Sequence, residues 1–395
     1  MAGEKVDMSP SFRRVVLWVS APVVTFVILG GLLGRVAARE ETYPHLTVFN
    51  DVVRLISDRY VEKADMDKVM AGAMRGLSDG LDPDSAFLTA DQVKQVEANA
   101  PLPAGDLGID LTRQYWLRII ATRDGSPAAK AGLHTGDFVR VIGDTATREM
   151  SVYEGMRRLR GAPGSKVTLT IIRGNTNDPH VVELTREAMP TTDVTSRMAG
   201  TGIGYLRVAG FSGRTAAQAR TALADLAKTG ASKLIVDVRR TSGGSNEAGL
   251  AVARLFIGAG TLARVESREG EPKTITAATG DGTVSLPVTI LADNGTSGAA
   301  EIFTSALLGN KRADVIGEHT IGRAGDQKLV KLPDGTGLWL TVSKYLTPTG
   351  DPLHEKGIEP TVAVEVPDVE FGQPEPTTDA ILDKALERLN EKKAA

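Results

Sequence analysis

The alternation of apolar strands with a helix beyond Gly202 constrains the fold of this chain most. The runs GYLRV and KLIVDVRR lie on either side of a helical segment from about Thr215 to Thr229. Strands and helices in alternation are typical of layered α/β structures with a parallel sheet. The mostly apolar run from Leu234 to Val238 favours a buried central strand. We therefore predict an α/β core built around this strand.

A second strand is predicted over Val288 to Ala292, followed by a tight glycine turn and a helix that begins near Ala299. Such a turn is where a nucleophile would lie. Gly243 and Gly244 follow the first strand in the segment RRTSGG, and they can present backbone N–H groups to a ligand at the carboxyl edge of the sheet. An ordinary turn is the alternative interpretation of this glycine pair.

Short strands and glycine-rich turns precede the core, after the linker APLPAGD at residues 100–106. Their order resembles a PDZ domain, in which a peptide C-terminus adds as a strand to a sheet edge and backbone N–H groups hold its carboxylate. Leu107, Gly108 and Ile109 match that peptide-binding loop. The turns Gly125 to Ala128 and Ala131 to Leu133 match positions where the backbone demands glycine. A structural or regulatory lid is the alternative role for this groove.

The whole chain from about Leu46 to Leu389 resembles the C-terminal processing peptidases, also called tail-specific proteases. The family's DLRNNPGG corresponds to Asp237 through Gly244, and its TPSG and GIxPD motifs are mirrored by Thr347 to Gly350 and Gly357 to Pro360. The resemblance implies a helical region, a PDZ domain and an α/β protease core. It also implies serine-type cleavage near protein C-termini by a Ser-Lys dyad.

The two dyad positions have changed in this chain. In the register of the family's SASASE turn the nucleophilic serine falls on Gly298, and the base lysine of TFGKG falls on Arg323, 323 − 298 = 25 residues later as in the family. The supporting glutamine is retained as Gln327, and the candidate oxyanion donors are Gly243, Gly244 and Ala299. Glycine has no hydroxyl, and arginine stays protonated and cannot accept a proton. We therefore predict that covalent serine catalysis is lost.

Two alternatives concern neighbouring side chains. Ser297, Thr296, Lys328 or His319 would have to replace the dyad in an active peptidase with a rearranged site. Arg323 would either bind a peptide carboxylate in a bidentate pair or form an ion pair with Glu301, Glu318 or Asp326.

The N-terminal segment Val15 to Gly34 carries no charge over about the ~20 residues that a membrane-spanning helix needs. It predicts a single-pass anchor in the inner (cytoplasmic) membrane, with most of the chain in the periplasm or otherwise outside the cytoplasm. A cleaved signal peptide is the alternative.

The predicted divisions of the chain are 1–40 cytoplasmic tail and anchor or signal, 41–100 helical region, 103–189 PDZ domain, 190–366 α/β peptidase-like core, and 367–395 C-terminal helix and tail.

Composition excludes other classes. A net charge of −3 without a basic block argues against nucleic acid as a partner. No cysteine is present, and the five histidines lack metal-ligand spacing, so neither a metal nor an organic cofactor is implied.

Within the helical region, the segment LDPDSAF from Leu81 to Phe87 predicts a turn without chemistry. The helix Asp379 to Leu389 predicts core packing.

The most consistent function is an inactive, membrane-anchored scaffold or regulator with a multidomain α+β fold. It would bind unstructured polypeptide C-termini and assemble as a homo-oligomer or with an active relative. An active serine-type endopeptidase with a rearranged dyad is the alternative, and a purely structural oligomer is a third possibility.

Overall fold

The computed structural model describes residues 44–99, 101–174, 178–367, 369–373 and 376–391. The predicted anchor over residues 15–34 lies outside these ranges. Among the helices that are described, none combines the length and apolar character needed to cross a membrane. The chain divides between Ala73 and Met74 into a short N-terminal unit and a large unit that contains all remaining elements.

The N-terminal region is helical, as its apolar periodicity predicts, but it also contains a short strand. Thr89 caps the third helix because its hydroxyl accepts a hydrogen bond from the Gln92 N–H, while the Gln92 side chain accepts one from the Thr89 N–H. The elements here are α1 Pro44–Arg59, α2 Met66–Asp79, β1 Ala86–Leu88 and α3 Ala90–Glu97.

The PDZ-like part of the chain forms an antiparallel sheet of order β3-β4-β5-β7-β8, in which β6 also pairs with β5 and β3 is an edge strand. Leu111, Leu117, Leu159 and Ile171 belong to its buried core. The elements are β2 Gly105–Asp106, β3 Ile109–Gln114, β4 Trp116–Thr122, α4 Pro127–Lys130, β5 Phe138–Ile142, β6 Thr145–Ala146, a 3-10 turn Thr147–Glu149, α5 Val152–Leu159, β7 Lys166–Ile172, β8 His180–Thr185 and β9 Glu187–Ala188.

The α/β core follows in chain order. Its elements are β10 Val194–Gly200, β11 Ile203–Val208, α6 Thr215–Lys228, β12 Lys233–Asp237, α7 Asn246–Ala253, β13 Thr261–Ser267, β14 Lys273–Thr276, β15 Val288–Ala292, α8 Ala299–Gly309, β16 Ala313–Gly317, β17 Gly325–Lys331, β18 Gly337–Leu346, β19 Val362–Ala363 and α9 Ala380–Glu391. The predicted strand over Val288 to Ala292 and the helix start at Ala299 are confirmed.

The central sheet has the order β10-β11-β12-β15-β16-β19, and its strands from β11 to β19 run parallel. Both of its faces are buried, as the apolar run predicts. Leu234 and Val236 belong to the main core with α6, α7 and α8, whereas Ile235 packs with Ile381 and Leu389 of α9 on the opposite face. This burial fixes the carboxyl edge of the sheet, where the loops after β12 and β15 meet.

A second sheet completes the core with the order β1-β18-β13-β14, and β17 also pairs with β18. It brings the N-terminal strand β1 next to β18 and places β17, which carries Gln327, directly after the Arg323 segment.

Candidate active site and peptide-binding groove

Gly298 lies at the turn between β15 and α8, where the sequence predicts the family's nucleophile. Its backbone has φ +61° and ψ −121°, a conformation that side-chain-bearing residues adopt only under strain. A Cβ built there would lie 3.6 Å from the Ser242 carbonyl oxygen and 3.7 Å from that of Arg323. The turn therefore has space for a side chain, which would carry the strain of the positive φ, but with glycine it supplies no hydroxyl.

Glu301 joins this turn to the segment that carries Arg323. Its Oε2 accepts hydrogen bonds from the N–H groups of Gly298 at 2.9 Å and Arg323 at 2.8 Å. Its Oε1 accepts from the Gly322 N–H at 2.6 Å and from the Thr320 hydroxyl. The carboxyl is fully buried, and burial raises its pKa. The two dyad positions are thus held together by Glu301, whatever side chains they carry.

Arg323 forms an ion pair with Asp84. One guanidinium nitrogen, Nη2, contacts Asp84 Oδ1, and Nε donates to Asp84 Oδ2 at 3.1 Å. Nη1 donates to the Leu111 carbonyl oxygen at 3.0 Å. Burial by itself would lower the pKa of this guanidinium, but the Asp84 carboxylate raises it above its ordinary value. The side chain at the family's base position is therefore a cation paired with a carboxylate.

One sequence prediction is wrong here, and a second is incomplete. The ion-pair partner of Arg323 is Asp84 rather than Glu301, Glu318 or Asp326, because Glu301 is engaged by backbone N–H groups instead. The segment Leu81 to Phe87 is a turn, since Asp82 Oδ1 accepts from the N–H groups of Asp84 and Ser85 at 2.8 Å each, but it delivers Asp84 to the site. Asp84 and Arg323 are 239 residues apart, so no local pattern connects them.

A cavity of about 520 Å³ contains the Gly298 turn and the Arg323 side chain. Gln327 also lines it, and its amide donates to the Thr341 hydroxyl at 3.2 Å. The structure thus brings the three predicted catalytic positions together. The other lining residues come from the N-terminal region, the PDZ part and the core: Asp84, Asp110, Leu111, Met156, Ser242, Gly244, Ser245, Asn246, Glu247, Ser297, Gly325, Asp326 and Trp339.

Of the candidate oxyanion donors, only Gly244 lines this cavity. The carbonyl of Gly243 accepts the Phe211 N–H at 3.2 Å, and Gly244 pairs with Phe211 in an isolated parallel bridge. Ala299 is buried in the first turn of α8. The geometry therefore brings Gly244 to the cavity and places Gly243 and Ala299 beside it.

The candidate replacement residues are occupied or lie elsewhere. Ser297 is buried, and its hydroxyl donates to the Ser242 hydroxyl at 2.8 Å, while the Thr296 hydroxyl donates to the Val238 carbonyl. Lys328 is exposed on β17, and His319 lines a different cavity, where it lies 3.7 Å from Glu359. Among the described residues that line the Gly298 cavity there is neither a lysine nor a histidine.

The predicted carboxylate loop of the PDZ part already holds a carboxylate from the chain itself. Asp106 Oδ1 accepts from the N–H groups of Leu107 at 2.7 Å and Gly108 at 3.3 Å, and its Oδ2 lies 2.8 Å from Arg160. Ile109 follows as the first residue of β3. Sequence reasoning missed Asp106, although an acidic residue directly before the loop was the available signal.

The fold and this site define a class: a PDZ-bearing α/β protein with the core of a serine peptidase. Residues 202–364 match the sequence model described as Peptidase family S41, and residues 105–184 match the PDZ domain. The chain is 30% identical over 334 residues to the carboxy-terminal-processing protease of Bartonella bacilliformis, and the match covers 83% of this chain and 77% of that protein.

A second relative and a solved structure indicate the same family. The chain is 32% identical over 322 residues to the carboxy-terminal processing protease CtpA of Bacillus subtilis, covering 81% of this chain and 69% of that protein. A solved structure of the photosystem II D1 C-terminal processing protease is similar, with a TM-score of 0.67 and 26% identity over 81% of this chain and 92% of that one. This protein belongs to the carboxy-terminal processing protease family.

Proposed function

We propose that this protein is a non-catalytic member of its family that binds unstructured polypeptide C-termini through its PDZ domain. The observation that carries the proposal is the pair of residues at the predicted dyad positions, Gly298 and Arg323, which lie together in one cavity with Gln327. Gly298 occupies the nucleophile turn, and Arg323 is paired with Asp84. Glu301 holds both positions in place, so no displacement of the site explains the changes.

The physical argument against cleavage has two independent parts. A serine protease that loses its nucleophile loses on the order of 10⁶-fold in kcat. A general base must also be able to accept a proton, and the Asp84 carboxylate stabilises the protonated form of Arg323. Either change is enough to stop acyl-enzyme formation.

Tail binding is supported by the PDZ part. β3 is an edge strand to which an extended peptide can add, and the Leu107 to Ile109 loop lies at its start. The same strand borders the Gly298 cavity through Asp110 and Leu111. A scaffold or regulator that captures tails without cutting them follows from this arrangement.

Cleavage and binding can be separated in one experiment. The full chain and its Gly298→Ser, Arg323→Lys variant are incubated with a fluorescent unstructured polypeptide that ends in an apolar residue. We expect the natural chain to bind the tail without cleaving it and the variant to acquire measurable cleavage. Cleavage by the natural chain would instead favour the active peptidase with a rearranged dyad, and Ser297→Ala would then be the next variant.

The proposal extends to location and assembly. The uncharged run from Val15 to Gly34 supports a single-pass inner-membrane anchor with the remaining domains in the periplasm or otherwise outside the cytoplasm. We expect the full chain to stay in the membrane fraction after alkaline extraction and a chain that starts at Glu41 to be released. Release of the full chain would contradict the anchor. Assembly with itself or with an active relative is the way such a scaffold would regulate proteolysis.

A further inference from the structure

The open edge of β3 is identified by its hydrogen bonds. Leu111 lies opposite Ile119 of β4, and Ile119 turns its own N–H and carbonyl toward β5, to Asp137 and Gly136 at 2.8 Å each. Residues opposite each other in such a pair do not bond across the ladder, and their backbone groups point to the outer sides. The N–H and carbonyl of Leu111 therefore face the edge at which a peptide strand would add.

Arg323 occupies this edge. Its Nη1 donates to the Leu111 carbonyl oxygen at 3.0 Å, while Asp84 holds the other side of the guanidinium. An added peptide strand would use the same carbonyl as an acceptor for one of its own N–H groups. A carbonyl oxygen can accept two hydrogen bonds, but the guanidinium, whose Nη1 lies 3.0 Å from this oxygen, takes up space at the open edge that the backbone of an added strand would need.

The other end of the groove is occupied by Asp106. Its carboxylate takes the N–H groups of Leu107 and Gly108, which are two of the donors that a peptide's terminal carboxylate would use. The Asp106 side chain is buried and anchored by Arg160. A tail carboxylate would thus meet both an occupied site and a charge of its own sign.

The groove opens onto the Gly298 cavity at the Leu111 end of β3. Asp110 and Leu111 of β3 and Met156 of α5 line the same cavity as Ser297 and Gly298. A side chain at position 323 can therefore act on the PDZ groove across the cavity.

We propose that the tail-binding groove is closed by two side chains of the protein itself, with Asp106 in the place of the terminal carboxylate and Arg323 in the place of a peptide N–H. This inference rests on the proposed function of tail binding. A tail must displace both side chains. The measured association constant therefore equals the intrinsic constant multiplied by the fraction of molecules in which the groove is open.

The test uses the full chain and fluorescent ten-residue peptides with an apolar last residue, each made with a free C-terminal carboxylate and with a C-terminal amide. Arg323→Ala should tighten binding of both peptide forms by about tenfold, because the substitution removes the charge-assisted hydrogen bond from the guanidinium that competes with either peptide. Asp106→Ala should tighten binding of the free-carboxylate form by a similar factor and change the amide form much less. Fluorescence anisotropy measures both constants.

Two further variants exclude trivial explanations. Arg388→Ala removes an arginine that pairs with Asp314 and does not line the cavity, and it should leave binding unchanged. Arg323→Met with Asp84→Asn removes both members of the ion pair, so Asp84 is not left as an unpaired carboxylate, and the variant should reproduce the gain of Arg323→Ala with an unfolding midpoint close to that of the natural chain.

Each outcome decides between the two proposals. Tighter binding in the Arg323 and Asp106 variants, with the stated carboxylate dependence, supports the closed groove. If the natural chain binds the tail and these variants bind it equally well or more weakly, the closed groove is overturned and tail binding stands. Absence of binding in every variant overturns tail binding itself, and the closed groove with it.

Discussion

At the scale of single residues, Asp84 explains how a partly buried arginine is accommodated at position 323, where the sequence predicts the family's base. Removing one partner of a fully buried pair costs roughly 3–5 kcal/mol, and the cost here is smaller because 22% of the Arg323 side chain is exposed. Asp84 is 9% exposed, and it contacts Arg323 through both carboxylate oxygens. The two residues therefore depend on each other, and restoring one dyad residue without considering Asp84 leaves a carboxylate beside the new base.

Asp84 should control the pH dependence of a restored dyad. A neighbouring carboxylate raises the pKa of an ammonium by roughly 1–3 for a close pair, because it stabilises the charged form. In the Gly298→Ser, Arg323→Lys variant, the introduced lysine beside Asp84 should thus be deprotonated only at alkaline pH. Adding Asp84→Asn should move the rising limb of the kcat/KM profile to lower pH.

The matched control for this profile is Asp91→Asn in the same background, because the Asp91 side chain is 86% exposed on α3. It should leave the rising limb where it was. An identical profile with and without the Asp84→Asn substitution would show that the carboxylate does not act on the base.

At the scale of elements, the loop before β3 depends on glycine for a reason that the structure makes specific. Gly108 has φ +71°, and a Cβ there would lie 2.3 Å from the Ser126 Cβ at the start of α4. Any side chain at this position must displace the loop from its helix. The β5–β6 turn provides a comparison, since Gly143 has φ +65° and no atom lies within 4 Å of a Cβ built at that position.

Gly108→Ala should therefore weaken tail binding by about tenfold or more, because the carboxylate loop moves and loses roughly one charge-assisted hydrogen bond. Gly143→Ala carries a similar cost of positive φ, about 1–2 kcal/mol, without a clash near the groove. Peptide anisotropy and urea unfolding of both variants separate binding from stability. Equal loss of binding in the two variants would place the tail elsewhere.

At the scale of the whole molecule, ion pairs join the PDZ part, the core and the C-terminal helix. Arg207 of β11 pairs with Asp124 after β4, and Arg123 pairs with Asp193. Arg239 contacts both Asp237, at the end of the central strand, and Asp379, directly before α9. The cavity between PDZ part and core is therefore a product of the assembled large unit.

The Arg239 pairs predict acid sensitivity. Burial alone would raise the pKa of the Asp237 and Asp379 carboxyls, but Arg239, together with Arg207 and Tyr205 at Asp237 and the Leu382 N–H at Asp379, lowers the pKa of both. A carboxyl with a lowered folded-state pKa stabilises the protein above its unfolded pKa, near 3.8, and this contribution is lost as the pH falls through the folded value. The stability difference between the natural chain and Asp379→Asn should thus be largest above about pH 4 and shrink on acidification.

Urea unfolding from pH 7 to pH 3 measures this difference. Asp225→Asn is the control, because Asp225 forms only an exposed pair with Lys228 on α6. A difference between the natural chain and Asp379→Asn that stays constant over this range would mean that Arg239 does not stabilise the ionised carboxylate.

The sequence determined the elements and the register of the site. Strand Val288 to Ala292 and the start of α8 follow from apolar runs and a glycine turn, which are local properties of the backbone. The spacing of 25 residues between Gly298 and Arg323 predicts that both lie at the family's dyad positions, and the structure brings the two residues to one cavity.

Only the tertiary structure decided what the altered residues touch. Asp84 comes from a turn before β1, and Leu111 comes from the PDZ strand β3, yet both contact Arg323. The Asp106 carboxylate accepts hydrogen bonds from its near neighbours Leu107 and Gly108, which are local contacts. Its proposed role in closing the groove depends on β3 and α5, which form that groove only in the folded chain. Which carboxylate pairs with an arginine depends on distance in the folded chain. From the sequence alone, several acidic residues near Arg323 were equally good candidates for its ion-pair partner. Folding instead brings a distant carboxylate, Asp84, and the open edge of β3 to the same guanidinium.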